Sequence, residues 1–269
     1  MYELPDILVL VQQMNKELIG KTIESANFNE KGYFNLPKKD FEAALTGKAI
    51  ESVEGKGKWI SVKMSSDTYV QVGEHSGHVL YHADTKTVPD VYTLRVDFTD
   101  NTVLTIRNHG MSFLRVVRKD ELGTFKYPGV LGISPLDAAF TVESFNEILE
   151  QNSKRILKAV LLDQSILAGL GNGYFQEVVY RAGVHPKRKA GGLSEKERRA
   201  LHTAIREILT NAVKLGGKED TTDLYGNPGR YQKVLGAHSL EKPCPVCGTS
   251  IEKMNILGST TYVCPSCQE

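Results

Sequence analysis

Four cysteines lie near the C-terminus as two Cys-x-x-Cys turns, CPVC (Cys244, Cys247) and CPSC (Cys264, Cys267), and the chain has no others. Each turn aims two thiolates at one point, and two turns on facing hairpin arms complete the tetrahedron that Zn2+ prefers. Four thiolates leave no open position for water or substrate, so the spacing predicts one structural Zn2+. Metal binding would supply folding energy that so short a segment cannot draw from a core. Two disulfides are the alternative pairing, which a cytosolic chain would keep reduced.

A second group of reactive residues opens the sequence, in MYELPDILVL. Pro5 suits the first helical position, where its missing N–H costs nothing. Asp6 suits the positive end of a helix dipole, and Gly20 is a natural stop. On one reading Glu3 is a solvated lead-in to this helix. On the other, the terminus belongs to an active site and the helix holds Glu3 beside it. The first ten residues do not choose between them.

The scaffold for these groups is read from composition and pattern. The chain has 269 residues, 41% hydrophobic and 24% charged, enough for one large or two ordinary domains. No stretch approaches the ~20 apolar residues of a membrane span, and no basic region precedes the first apolar run, so neither a membrane protein nor a secreted one is expected. The net charge of +1 excludes a uniformly basic coat, although Arg181, Lys187, Arg188, Lys189, Lys196, Arg198, Arg199 and Arg206 form a local basic cluster. From Thr22 to about Val117 the runs KWISVKM, TYVQV, VYTLRVDF and TVLTIRN read as strands, with TDN as a hairpin turn. YPGVLGISPLD marks a hinge. Beyond it the pattern is helical: Thr141 caps VESFNEILEQN, KRILKAVLLDQ follows, and Ser194 with Glu197 forms a capping box for a helix burying Leu201, Ile205, Ile208, Ala212 and Leu215.

Read alone, AGLGNGY is a Gly-rich turn between helices, and most such turns are structural. As a helix-turn-helix variant it would grip a phosphate through backbone N–H groups and the Asn172 amide at a helix start. The longer segment LDQSILAGLGNGYFQEVVYRAGVHP is far more specific. Taken in order with ELP, GKGKW on a hairpin, ILKAVLLDQ and the four-cysteine hairpin, it resembles the formamidopyrimidine-DNA glycosylase / endonuclease VIII family over essentially the whole chain. The ELP start is closer to the formamidopyrimidine branch. Pattern and resemblance together give an α+β multidomain fold. Its parts are an N-terminal β-sandwich catalytic-type domain with a leading helix (1–130), a helical helix-two-turn-helix DNA-binding domain (131–236) and a terminal four-cysteine zinc-finger β-hairpin (237–269).

The resemblance implies base excision: a damaged nucleotide is flipped out of the duplex, and an amine at the chain terminus attacks the sugar C1′ to form a Schiff base. It implies a monomer acting on double-stranded DNA that carries a damaged base or abasic site, in the cytoplasm and, in a bacterium, at the nucleoid. Family members usually present the secondary amine of a proline at position 2, where this chain has Tyr2. A bulky second residue is expected to leave Met1 in place, with its primary α-amine one residue further out. The phenol of Tyr2, with an ordinary pKa near 10, cannot form an imine. Glu3 aligns with the catalytic carboxylate that protonates the deoxyribose ring oxygen or activates water. Lys58, read alone a solvated strand lysine, aligns with the hairpin lysine that contacts phosphate. Lys158 and Asn172 match positions gripping backbone near the flipped nucleotide, and Tyr174 follows Asn172 in the same clamp.

Departures from the family cluster where DNA is read. EHSG places His75 where the family usually has a methionine, and RNHG places Arg107 and His109 where it usually has Arg-x-Phe. Arg107 can still pair with the orphaned base, while the histidines are poorer apolar wedges and would vary in charge near neutral pH. Ser259 stands where an arginine normally grips phosphate, without the charge-assisted fork of a guanidinium. GGKEDTTDLYGNPGRYQ is shorter than the loop that covers a damaged purine, which puts recognition of 8-oxoguanine in question. Three readings result: a glycosylase with lyase activity through Met1 or Lys58, a glycosylase in which Glu3 activates water, and a lesion-binding protein that lost its nucleophile. A zinc-ribbon role on RNA or protein is disfavoured because clamp and hairpin occur together.

Overall fold

The computed structural model describes residues 1–28, 33–110 and 112–269. The chain forms two compact units, Met1–Val130 with Leu215–Arg230, and Leu131–Lys214 with Tyr231–Glu269. Leu215–Arg230, which the sequence reading runs with the helical part, is counted with the first unit. Gly216 and Gly217, at φ of +77° and +95°, turn the chain after the long helix. Residues 218–225 then bond to the first helix: Asp6 accepts from the Lys218 amide and Gln13 from the Leu224 amide.

In the first unit, α1 (Leu4–Leu18) starts where expected, with Pro5 in its first turn and the Asp6 carboxylate accepting the Glu3 N–H at 2.8 Å. Ile7, Leu10, Met14 and Leu18 recur at helical spacing and are buried in the core. Two sheets supply the rest of it. One has the order β1 (Ile23–Phe28), β7 (Leu94–Phe98), β8 (Val103–Asn108), β6 (Gly77–His82). The other runs β2 (Tyr33–Phe34), β9 (Phe113–Arg118), β5 (Thr68–Gly73), β4 (Trp59–Met64), β3 (Ile50–Lys56). Val62, Met64, Val70 and Val72 from one sheet share a core with Val79, Leu94, Val96 and Ile106 from the other, so of the sandwich or barrel the strand pattern suggests, the chain forms the sandwich. Asn101, at φ +66°, makes the predicted turn between β7 and β8. The parallel pairing of β2 with β9, α2 (Lys38–Leu45) and the one-turn α3 (Lys126–Gly129) carried no sequence signal.

The second unit is helical with a terminal hairpin. Thr141 Oγ1 accepts from Ser144 N at 3.2 Å and caps α4 (Val142–Gln151). The helix expected over KRILKAVLLDQ is only α5 (Leu157–Leu161), because Ile156 is drawn into a bridge with Lys189 and Asp163 folds a turn on Ser165. After α6 (Asn172–Arg181), the Ser194–Glu197 box opens α7 (Glu195–Lys214), Glu197 N donating to Ser194 Oγ and Ser194 N to Glu197 Oε2. Leu201, Ile205, Ile208 and Ala212 are buried as predicted, whereas Leu215, expected on the same face, lies past the end of the helix and is only half-buried. β10 (Glu252–Ile256) and β11 (Ser259–Val263) pair antiparallel around Leu257 and Gly258, both left-handed. Among the described residues no helix is long and apolar enough to cross a membrane.

Candidate functional site

The first unit collects the opening residues around position 2. Tyr2 N donates to His75 O at 2.9 Å. The tyrosine ring, 1% exposed, stacks on the His75 imidazole with centroids 5.5 Å apart, and its hydroxyl donates to Thr222 O at 2.9 Å. Burial raises the phenol further above its ordinary value, so Tyr2 is a neutral core residue. Met1 is half exposed, and burial, followed by the charge of Lys218, pulls its α-amine below the ordinary value. Glu3 is buried at the start of α1, and its charge acts on that amine. Met1 and Glu3 are thus brought together.

Lys58 sits in the tight turn between β3 and β4, beside Gly57 at φ +60°, and its Nζ lies 3.6 Å from Glu74 Oε2. Arg107 and His109 are exposed at the end of β8. His75 departs from expectation. It is 2% exposed, its Nδ1 is 2.9 Å from the buried Ser112 Oγ, and burial drives its pKa down to about 3. The imidazole is therefore neutral at physiological pH and packs against Tyr2, with no surface to present to DNA. Two residues of this site were missed. His78, edge-on to His109 at 5.0 Å, shares Thr222 with Tyr2 through its Nδ1 at 2.9 Å, and the buried Lys218 contacts Asp6 and Met1. Both depend on pairings more than a hundred residues apart, which periodicity does not report.

In the second unit the glycine-rich turn is pinned by Gln164, whose Nε2 donates to Leu170 O and whose Oε1 accepts from Gly169 N. α6 then begins at Asn172, where Nδ2 donates to Thr260 O at 2.9 Å. One turn on, Gln176 Oε1 accepts from Tyr262 N at 2.6 Å. The helix start is thereby fastened to β11. Lys158 and Tyr174 do not reach the surface. Tyr174 is buried against Tyr231. Lys158 is 0% exposed, and its Nζ donates to Ile256 O at 3.0 Å and to Ser259 Oγ and Thr261 Oγ1, each at 2.7 Å. An ammonium so engaged holds the hairpin turn and leaves no donor aimed outward for phosphate. It also takes up the Ser259 hydroxyl. Lys158→Met keeps the apolar stem but strands these acceptors, at about 1–3 kcal/mol for an unsatisfied buried group. Faster amide exchange across Ile256–Thr261, with α7 unchanged, is the expected result.

The four cysteine Sγ atoms lie within 4.8 Å of one another, Cys244 to Cys267 at 3.8 Å and Cys247 to Cys264 at 3.4 Å. Disulfide sulfurs would be about 2.05 Å apart, whereas thiolates at ~2.3 Å from one tetrahedral zinc are separated by roughly 3.8 Å. The donor set fits Zn2+. Tyr180 OH lies 3.2 Å from Cys244 Sγ, and Val246 N donates to the same sulfur, the outer contacts a thiolate ligand uses.

Comparison with known proteins accounts for the whole chain. Residues 1–110 match the formamidopyrimidine-DNA glycosylase N-terminal domain, residues 131–223 the formamidopyrimidine-DNA glycosylase H2TH domain, and residues 241–269 the zinc finger found in FPG and IleRS. A formamidopyrimidine-DNA glycosylase of an Exiguobacterium species is 33% identical over 277 residues, covering 100% of both chains. The chain belongs to the formamidopyrimidine-DNA glycosylase family. A Bacillus cereus formamidopyrimidine-DNA glycosylase is 32% identical over 276 residues, covering 100% of this chain and 99% of its own. Among solved structures, MutM (Fpg) from Thermus thermophilus superposes with a TM-score of 0.86 at 27% identity, covering 99% of this chain and 98% of that one. Lactococcus lactis Fpg in complex with abasic-site DNA gives 0.84 at 26% identity, covering 99% of each. The cysteine cluster of this family member is a structural Zn2+ site. At position 2 the Tyr2 peptide N–H already donates to His75 O, under a ring built into the core.

Proposed function

We propose that this protein is a base-excision repair glycosylase that binds duplex DNA containing a damaged base or an abasic site and cleaves the N-glycosidic bond of the flipped nucleotide. Relatives named formamidopyrimidine-DNA glycosylase match it end to end, and the Lactococcus lactis neighbours are complexes with abasic-site or N7-benzyl-Fapy-dG DNA. The observation that carries a catalytic reading is the Met1 amine, lowered below its ordinary value, beside the buried Glu3. Glu3 protonates the ring oxygen as the amine lone pair attacks C1′, so that the N–C1′ bond forms while the C1′–O bond of the sugar ring breaks. The amine then loses a proton, and its lone pair expels the base with the electrons of the glycosidic bond to give the protonated imine. Lys58, Arg107, His109 and Asn172 are the DNA contacts, the lysine through phosphate. Lys158, Tyr174 and His75 support them from within, and Ser259 acts through Lys158. A monomer in the cytoplasm, associated with the nucleoid, goes with this substrate.

A second reading, a lesion-binding protein without chemistry, is favoured by one observation: Tyr2 supplies no amine and locks position 2 in the core. Borohydride trapping on an abasic-site duplex separates the two. A covalent complex whose cross-linked peptide contains Met1 is expected. Tight abasic-site binding with neither a trapped species nor base release, across oxidised and alkylated substrates, would establish the second reading.

A further inference from the structure

Lys158 and Lys218 are the lysines buried among the described residues. Lys158 secures the hairpin, whereas Lys218 closes on the chain terminus. Its side chain is 3% exposed; its Nζ donates to Asp6 Oδ2 at 2.5 Å and to Met1 O at 2.8 Å. Asp6 is held in turn by Lys218 N at 3.1 Å and Thr221 Oγ1 at 3.0 Å on Oδ1, and by Glu3 N at 2.8 Å on Oδ2. Gly217, at φ +95°, permits this approach, since a Cβ there would stand 2.7 Å from Asp6 Oδ1. A buried ion pair is a poor way to gain stability, because apolar side chains of similar volume usually do as well. The second partner of the ammonium, the Met1 carbonyl, gives the pair another task.

We propose that Lys218 is a positioning residue for the terminal amine: its ammonium, anchored on Asp6, grips the Met1 carbonyl and holds the α-amine of the same residue in one orientation for attack on a sugar carbon. This rests on the Schiff-base reading above. Lys218 is not itself the nucleophile. Burial pulls its pKa down, but the charges of Asp6 and Glu3, the hydrogen bond to Asp6 and the charge of Asp220 outweigh burial and hold it above the ordinary lysine value. It therefore stays an ammonium, without a lone pair. Its fixed charge also favours the neutral form of the neighbouring amine. The groups acting there are Glu3 and Asp6 from α1, Lys218 and Asp220 from the 215–230 segment, and the neutral His75 from the β5–β6 loop. Burial and Lys218 lower the amine, and the three carboxylates oppose them without prevailing.

The experiment begins with the intact mass of the purified chain; absence of Met1 overturns the proposal, since the carbonyl that Lys218 grips would be gone. The Met1 amine is then titrated without DNA, by acylation at a series of pH values and mass-spectrometric reading of the N-terminal peptide. Wild type should titrate below the ordinary 7.7–8.0 of an α-amine. Lys218→Met should move it up by about one unit, which lowers the neutral fraction about tenfold on the acid side, and the pH profile of borohydride trapping should move with it. If the single variant fails to fold around an Asp6 that has lost its ammonium partner, Asp6→Asn/Lys218→Met removes both charges and should still shift the amine upward, Lys218 being the stronger influence. An unshifted titration in a folded variant, or trapping reduced equally at every pH, overturns the proposal and leaves Lys218 a structural residue. A wild type that forms no trapped complex defeats the Schiff-base reading instead, and the titration still reports what Lys218 does to the amine.

Discussion

Stripping the metal from Cys244, Cys247, Cys264 and Cys267 is expected to unfold the terminal hairpin while the first unit stays folded. β10 and β11 pair over five residues each, and an isolated two-stranded hairpin is at best marginal in water. Its own apolar cluster is small: Leu235, Cys244, Ile251 and Cys264, with Tyr180, Tyr262 and Cys267 packed on it, so three of the seven are metal ligands. Without zinc the four sulfurs, all within 4.8 Å, either repel as thiolates or are forced to bind protons. Apparent Zn2+ binding energies of about 10–16 kcal/mol in zinc-finger peptides exceed anything else holding this segment. The first unit, in contrast, keeps its core between two sheets and α1. Chelation should therefore release one zinc per chain, abolish amide protection over Glu252–Val263 and leave β4, β5 and β8 protected. Cys264→Ser should mimic it. Loss of the hairpin also deprives Lys158 of all three acceptors, so a buried ammonium adds to the cost of the apo state. Retained protection over the hairpin after complete zinc release would remove the metal from its structural role.

What the sequence disclosed follows the range of each interaction. The cysteine turns, the Ser194–Glu197 box, the Thr141 cap and the strands of the sandwich are local, with every partner within a few residues or at a fixed period. Resemblance added the order of the parts and the expectation that Glu3 is catalytic. The state of each site residue was hidden, because it depends on what lies opposite in space. His75 reads as a surface histidine in a Gly-Glu-His-Ser-Gly loop until Tyr2 and Ser112 enclose it. Lys158 matches a position that grips DNA backbone, but a turn about 100 residues later supplies acceptors for its ammonium. Tyr2 itself looks like a damaged active site in the sequence. In the structure its ring fills the core with Ile7 and Leu10, and its hydroxyl binds a segment 220 residues away. The bulky residue is accommodated by a matching partner at His75, so Tyr2 and His75 form one packing unit.

Glu3→Gln carries the largest expected loss of activity: release of a damaged base should fall by about 10²–10⁴-fold, the usual worth of a positioned acid or base. Binding of an abasic-site duplex should stay within a few-fold of wild type. Glutamine has nearly the same shape and keeps a side-chain oxygen for the capping-box contact with the Asp6 N–H, and the backbone contacts Glu3 N to Asp6 Oδ2 and Ile7 N to Glu3 O are untouched. α1 should therefore start in the same place, and the unfolding temperature should barely move. What disappears is the proton that a carboxylic acid can deliver to the ring oxygen, and the negative charge that it holds beside the Met1 amine once ionised. The two readings of the opening sequence then part company. If Glu3 is only the lead-in to a helix, the variant releases base at the wild-type rate. If it is the acid, base release collapses in a protein that still binds and still folds. Supplying the abasic site preformed tests the remaining step separately, because imine formation at an existing aldehyde needs the amine more than the acid. Trapping on that substrate should fall less than base release, and an equal fall in both would assign Glu3 to the amine instead of the sugar.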